Sequence, residues 1–472
     1  MTPEEALLKY FNFSSFRPGQ KEAIDALINS KSDVLCLFPT GAGKSICYQL
    51  PVLLGNSKFA LVISPLIALM EDQIAALKRR KIPCAVLNST ISASERLTIL
   101  SDLASASPTP KLVYVTPEQL QTPELRDALS VAKNNVAYLA VDEAHCISAW
   151  GHDFRPAFRK IAPFRQILGV NVPVIACTAT ATPKVRDDII ASLKMAKPLI
   201  IAQSFNRPNL IYSVKFKASE KNEDFATVLK CVKKLGAENC GIIYCFKREE
   251  CDDLAACLCE AGFKAKAYHA GLGDKARSTA QTDWLAGTTK ILVATIAFGM
   301  GVDKPNVRYV IHFSISKNME GYYQESGRAG RDGHQSKCIL FYSERDYNLL
   351  EWLTQKSKNE HALEALRVMK SYCLKPKCRR SAILEHFGEV LKHASKRCCD
   401  FCKDPKETAA AAENYFYRAP KKESYEAESA DFEFEFENRG KRKLPEEKEE
   451  APLLRKNSAK SRIWEKLEKL GK

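Results

Sequence analysis

Three stretches of the sequence carry residues whose type and spacing suit one reaction. The apolar run 34–38 leads into Pro39-Thr40-Gly41-Ala42-Gly43-Lys44-Ser45, and a helical pattern follows. A strand that turns into a helix through glycines presents backbone N–H groups to a phosphate, and the positive end of the helix dipole adds to the attraction. Lys44 then neutralises β- and γ-phosphate charge, and Ser45 offers a hydroxyl to Mg²⁺. The strict G-x-x-x-x-G-K-[ST] pattern has glycine where this chain has Phe38, so the loop is a variant.

The second stretch, Asp142-Glu143-Ala144-His145, ends the apolar run 138–141. Two adjacent carboxylates at the carboxyl edge of a sheet suit Mg²⁺ binding by Asp142 and orientation and deprotonation of a water by Glu143. Far downstream lies the third, Gln324-Glu325-Ser326-Gly327-Arg328-Ala329-Gly330-Arg331-Asp332-Gly333. Arg328 and Arg331, three apart, are expected on one helical face, from which they would reach a γ-phosphate held by the first two stretches. The predicted catalytic set is therefore Lys44, Asp142, Glu143, Gln324, Arg328 and Arg331.

Such a split site needs two scaffolds. Short apolar runs at 34–38, 60–64, 112–115, 138–141 and 174–177 alternate with helical patterns, as strands of a parallel sheet buried on both faces do. After the turn-rich Asn206-Arg207-Pro208-Asn209 the rhythm restarts at 241–246, 265–269, 290–294, 309–313 and 337–342, which predicts a second α/β lobe. The chain of 472 residues has room for both and for more. The expected division is a first lobe over residues 1–203, a second over 204–350, a small helical domain over 351–405 and a charged, mostly disordered tail over 406–472. The tail has an alanine run at 409–412 and an acidic-aromatic alternation at 431–437.

The net charge of +15 suits a polyanionic partner. Residues after Cys402 number 17 basic and 16 acidic, so nearly all of that excess belongs to the first 402. There is no apolar run of membrane-spanning length and no visible export signal, so no membrane partner is expected. Twelve of the 17 cysteines are scattered singly, as reduced core residues are, whereas five crowd between Cys373 and Cys402 as a candidate metal site.

The order of motifs resembles the superfamily-two helicases and, within them, the RecQ family. The similarity runs from about Leu7 to Cys402. It is specific in the loop 39–45 with DEAH at 142–145, in Cys146-Ile147-Ser148-Ala149-Trp150-Gly151-His152-Asp153-Phe154-Arg155-Pro156, and in Ala294-Thr295-Ile296-Ala297-Phe298-Gly299-Met300-Gly301-Val302-Asp303-Lys304-Pro305. The resemblance implies two tandem RecA-like lobes followed by a helical zinc-binding domain. It implies ATP as substrate, with Phe13, Arg17 and Gln20 reading the adenine, Thr40, Gly41, Ala42, Gly43, Lys44 and Ser45 holding phosphates, and Asp303 with Gly301 joining the nucleotide site to DNA. It implies strand-tracking loops at Ser64-Pro65-Leu66 and Thr116-Pro117-Glu118, and a coupling segment at Thr178-Ala179-Thr180-Ala181-Thr182. Trp150, His152, Phe154, Arg155 and Phe158 would form an aromatic-rich loop whose rings stack on unpaired bases.

The resemblance also implies a structural Zn²⁺ held by four cysteines, for which Cys378, Cys399 and Cys402 match in setting. Ser395 stands where a further cysteine is expected, so Cys398, Cys373 and His393 are the candidates for the fourth ligand, with Cys398 favoured over its neighbour-position awkwardness. Too few residues remain after Cys402 for a winged helix and a further helical module, which places the chain near the branch lacking both. The implied activity is ATP-driven 3′ to 5′ movement on single-stranded DNA with unwinding of duplex or branched DNA, in repair, recombination and replication. The alternatives are a translocase that strips proteins or anneals strands, and a scaffold whose tail binds a protein partner. A monomer is expected. Arg439-Gly440-Lys441-Arg442-Lys443 reads as a nuclear import signal, with the cytoplasm as the alternative location.

Overall fold

The computed structural model describes residues 1–55, 58–151, 153–169, 172–218, 221–299, 304–357, 359–392 and 397–418. Seven strands form the first sheet: β1 Val34–Leu37, β2 Phe59–Ile63, β3 Cys84–Leu87, β4 Leu112–Val115, β5 Val136–Val141, β6 Val174–Thr178 and β7 Leu199–Ala202. Their order is β3-β4-β2-β5-β6-β1-β7, and every pairing is parallel. The central strands are runs of Val, Ile, Leu, Ala and Cys buried on both faces, because helices cover each side of a parallel sheet. The partly exposed β3 and β7 lie at the edges, and neither is among the strands expected from the sequence.

The second sheet holds six strands: β8 Leu210–Phe216, β9 Cys240–Tyr244, β10 Ala265–Tyr268, β11 Ile291–Ala294, β12 Val307–His312 and β13 Ser336–Tyr342. It is again wholly parallel, in the order β10-β11-β9-β12-β13-β8. The two lobes touch where chemistry was expected. A Cβ added to Gly41 would lie 3.5 Å from Arg331 Cγ, and one added to Gly327 would lie 3.8 Å from Thr40 Cβ.

Helices Glu344–Lys356 and Glu360–Leu374 follow as a hairpin, and then Arg379–His386, Asp400–Lys403 and Pro405–Arg418. This module shares its core with the second lobe: Tyr372, Cys373, Cys398 and Cys399 lie in one apolar cluster with Tyr322, Tyr323 and Leu340. It also covers the free edge of β8, where Val214 N donates to Asp400 Oδ2 at 2.7 Å, so the sheet edge is closed. The mostly disordered tail expected from residue 406 opens with an ordered helix, so the division at 405/406 falls inside an element. Helix Pro405–Arg418 includes the alanine run, and Tyr415 stacks on Phe216 with centroids 4.8 Å apart. Alanine favours the helix, and an aromatic side chain that buries itself on the sheet anchors it. The later tail, with residues 431–437 and 439–443, lies outside the described residues.

Candidate functional site

Residues 39–45, 64–66, 116–118, 142–145 and 179–182 all leave the carboxyl ends of β1, β2, β4, β5 and β6, the edge at which open α/β sheets bind ligands. Gly41 and Gly43 both have φ +85, a left-handed backbone that side chains resist, and a Cβ at Gly43 would collide with the Gln20 amide. The variant Phe38 is harmless to this loop. Its N–H still bonds to Thr178 O at 3.1 Å in strand fashion, and its ring is fully buried, so the loop turns only after it. Lys44 Nζ reaches back to Phe38 O at 3.4 Å, across the cradle.

The N-terminal segment braces the loop. Gln20 Nε2 donates to Gly43 O at 2.9 Å while its Oε1 accepts from Arg17 N at 2.8 Å, and the Arg17 guanidinium donates to Gly41 O. Both amide ends of Gln20 are therefore engaged with protein in this arrangement. Phe13, 45% exposed, leaves a ring face open to a base.

Asp142 is buried, accepts from Tyr48 OH at 3.2 Å and from Glu143 N at 3.0 Å. Burial, and then the adjacent Glu143 carboxylate, push its pKa up to about 6 against the pull of Lys44. A carboxylate that resists ionisation without a cation and sits beside Lys44 and the loop suits a divalent ion there, with Ser45 as the second protein ligand. Glu143 adopts φ +47, which turns the chain sharply after Asp142. His145 Nδ1 lies 2.9 Å from Thr178 Oγ1 and 3.3 Å from Glu143 Oε2, and Thr178 Oγ1 accepts from Thr180 N at 3.2 Å. The DEAH segment and the segment 178–182 are thus one hydrogen-bonded unit.

The arginine stretch departs from expectation. Helix Met319–Ser326 ends before it, Gly330 has φ +56, and the two arginines are not on one helical face. They diverge. Arg328 is buried beside Tyr244, and its Nε has no hydrogen-bond partner among the described residues, whereas Arg331 lies over Gly41. Gln324, half-buried, lies in the last turn of the helix. Sequence reading missed what holds this turn. Arg207 donates from Nη1 to Gly327 O at 3.2 Å and from Nη2 to Ala329 O and Gly330 O, both at 2.9 Å. Asn209 Nδ2 bonds to Gly330 O at 2.8 Å and to His334 O at 3.0 Å. The stretch 206–209 had read only as a turn; an Arg and an Asn flanking a proline in it were the available signal.

In the aromatic loop Trp150 and Phe154 are exposed, at 40% and 39%. Phe158 is not: its ring is fully buried in the first lobe's core, which removes it as a base-stacking group. Ser64 and Thr116 are buried at the carboxyl ends of β2 and β4, and Ser64 Oγ has no hydrogen-bond partner among the described residues. Arg155 donates to Pro65 O at 2.7 Å, tying this loop to the 64–66 loop. Lys184 Nζ stands 2.8 Å from the centre of the Trp150 ring and the His361 ring 3.6 Å from it, two neighbours that the sequence did not flag. His152, Gly301, Asp303 and His393 lie outside the described residues.

Cys378, Cys398, Cys399 and Cys402 converge, with their four sulfurs within 4.8 Å of one another. The Cys378–Cys398 separation is 3.5 Å and the Cys398–Cys399 and Cys399–Cys378 separations are 3.9 Å. Zn–S bonds of about 2.3 Å in a tetrahedron place sulfurs about 3.8 Å apart, so the set fits Zn²⁺. Burial and the neighbouring Cys402 push the Cys398 thiol up to about 12. Cys373 is fully buried and stands outside the cluster.

The description "DEAD/DEAH box helicase" matches residues 17–189, "Helicase conserved C-terminal domain" residues 221–333 and "RecQ zinc-binding" residues 344–403. The chain is 43% identical over 427 residues to "ATP-dependent DNA helicase Q5" of Mus musculus, covering 84% of this chain and 43% of that protein. It is 42% identical over 414 residues to "RecQ-like DNA helicase BLM" of Xenopus laevis, covering 84% of this chain and 30% of that protein. The chain therefore spans less than half the length of these relatives. Among solved structures, the helicase MrfA bound to DNA and AMPPNP shares the fold with a TM-score of 0.62 at 18% identity, over 83% of this chain and 58% of that one. A DEAH first lobe, a second helicase lobe and a RecQ zinc-binding module succeed one another in this order, and the chain belongs to the RecQ family.

Proposed function

We propose that this chain is an ATP-dependent DNA helicase that hydrolyses ATP between its lobes and moves 3′ to 5′ on single-stranded DNA, opening duplex or branched substrates. The observation that carries the reading is the placement of Arg331 against Gly41, which puts a second-lobe guanidinium at the phosphate cradle of the first. Lys44 and the loop N–H groups bind the phosphates, Glu143 orients and deprotonates the attacking water, and Arg331 stabilises charge developing on the transferred phosphoryl group. Asp142 and Ser45 would hold Mg²⁺, which would supply charge neutralisation at the phosphates. Zn²⁺ on the four cysteines would be structural, and Gln324 and Arg328 belong with Arg331 to the second-lobe side of the catalytic set.

The route from ATP to DNA runs from Glu143 through His145 to Thr178, and from Asp142–His145 directly into the loop bearing Trp150 and Phe154. Closure and release of the lobes then change the grip of exposed rings on bases. A monomer acting in the nucleus, in repair, recombination and replication, completes the reading. The test is ATP hydrolysis with and without single-stranded DNA, with unwinding of a forked duplex that has a labelled 3′ or 5′ arm. DNA should raise the rate at least several-fold, and Lys44→Ala should lower it a hundred-fold or more while melting as the parent does. A rate indifferent to DNA would exclude coupled movement.

A further inference from the structure

The segment between β7 and β8 connects the lobes, and it is clamped on both sides. On one side Arg207 and Asn209 bind four carbonyl groups' worth of contacts along the arginine turn, at Gly327, Ala329, Gly330 and His334, and Tyr323 OH donates to Phe205 O at 3.0 Å. On the other side the cysteine module takes hold. Arg380 Nη2 donates to Leu210 O at 2.6 Å and Pro208 O at 3.2 Å, Phe205 N donates to Glu389 Oε2 at 2.8 Å, and Phe205 stacks on Phe387 with centroids 4.5 Å apart and planes 13° from parallel. Arg380 follows Cys378 by two residues and is buried.

Arg207 is half-buried, and an arginine that spends several donors on main-chain carbonyls fixes the path of that chain, because its fork fits one arrangement of acceptors. The path fixed by Arg207 is the one that delivers Arg331, four residues beyond Gly327, to Gly41. Helix geometry does not do this, since the helix stops at Ser326.

We propose that Arg207 is a positioning residue for hydrolysis. It holds the turn 327–330 so that Arg331 meets the nucleotide, and Arg380 holds Arg207's own segment to the cysteine module. The lobe connector thereby makes the placement of the transition-state arginine depend on the module that carries the cysteines. This rests on the reading of Arg331 as the group that stabilises the transferred phosphoryl.

Steady-state hydrolysis with saturating single-stranded DNA is measured for the parent, Arg207→Ala, Arg207→Lys, Arg331→Ala and the Arg207→Ala/Arg331→Ala double variant, with nucleotide affinity read from a fluorescent ADP analogue. Arg207→Ala should lower kcat ten-fold or more, with KM for ATP and ADP affinity within two-fold, since the first lobe's cradle is untouched. Arg207→Lys, which keeps the charge but not the fork, should recover part of kcat. Added to Arg331→Ala, the Arg207 substitution should cost less than two-fold more, because a residue that acts through Arg331 has nothing left to position. Arg380→Ala should shift kcat in the same direction. A full, multiplicative loss in the double variant would overturn the proposal, as would a parent-like kcat in Arg207→Ala. If Arg331→Ala itself keeps the parental rate, the reading of Arg331 fails, and the two failures are distinguishable.

Discussion

The identity of the fourth zinc ligand can be tested with two serine substitutions that the structure separates. Cys398 and Cys373 are both buried cysteines of the same module, but only Cys398 brings its sulfur to the cluster. A complete structural site in a small zinc module is worth about 10–16 kcal/mol, so one thiolate in four corresponds to about 3 kcal/mol, or a metal affinity weaker by a hundred-fold or more. Cys398→Ser should therefore lose most of its zinc in competition with a chelating dye, and its yield of folded protein should fall because module and second lobe share one core. Cys373→Ser places a hydroxyl in an apolar site at a cost of about 1–3 kcal/mol and should melt earlier while keeping one zinc per chain. Zinc counted by mass spectrometry after dialysis, together with thermal melting, reads both effects. Zinc retained by Cys398→Ser and lost by Cys373→Ser would refute the assignment, and a parent purified under zinc-replete conditions without zinc would refute the site.

Asp142 titrates near 6 when folded rather than near its ordinary 3.8, so the folded state takes up its proton more readily than the unfolded chain. Its contribution favours folding in acid and is lost as pH rises through about 6. In buffer without Mg²⁺, Asp142→Asn should melt above the parent at pH 8, and the gap should close as pH falls below 4; a gap that widens in acid would reverse the sign and the argument. Trp150→Ala should leave hydrolysis without DNA within two-fold and reduce its stimulation by single-stranded DNA five-fold or more, the loss expected when one stacked base is given up. Unchanged stimulation would assign Trp150 to packing against Lys184 and His361 alone.

The first lobe was legible because its signals are local. An apolar run buried on both faces, two glycines and a Gly-Lys-Ser at a helix start specify a strand, a turn and a phosphate cradle within a dozen residues, and the DEAH carboxylates follow the same logic. Edge strands β3 and β7 are apolar runs too, but at four residues each, next to Pro83 and Pro198, they are too short to be told from the end of a neighbouring helix or loop by pattern alone. Phe158 shows the limit of reading aromatic spacing: Trp150 and Phe154 point out and Phe158 points in, because a short helical turn from Pro156 rotates it into the core. The alanine run 409–412 was taken with the charged tail because composition alone does not reveal that Tyr415, a few residues on, docks against Phe216.

The arginine turn fails for a different reason. Two arginines three apart satisfy a helix rule, but Gly327, directly after the last helical residue Ser326, is the local signal that the helix stops before them. What holds the turn after it lies about 120 residues away, in a connector whose guanidinium satisfies the very carbonyls that a continuing helix would have used for itself. With the turn held in this way Arg331 lies over Gly41 of the first lobe and Arg328 is buried beside Tyr244. Two residues of identical type thus acquire different burial and different nearest neighbours. Their separate fates follow from long-range satisfaction of main-chain acceptors, a term that no local pattern of side chains contains.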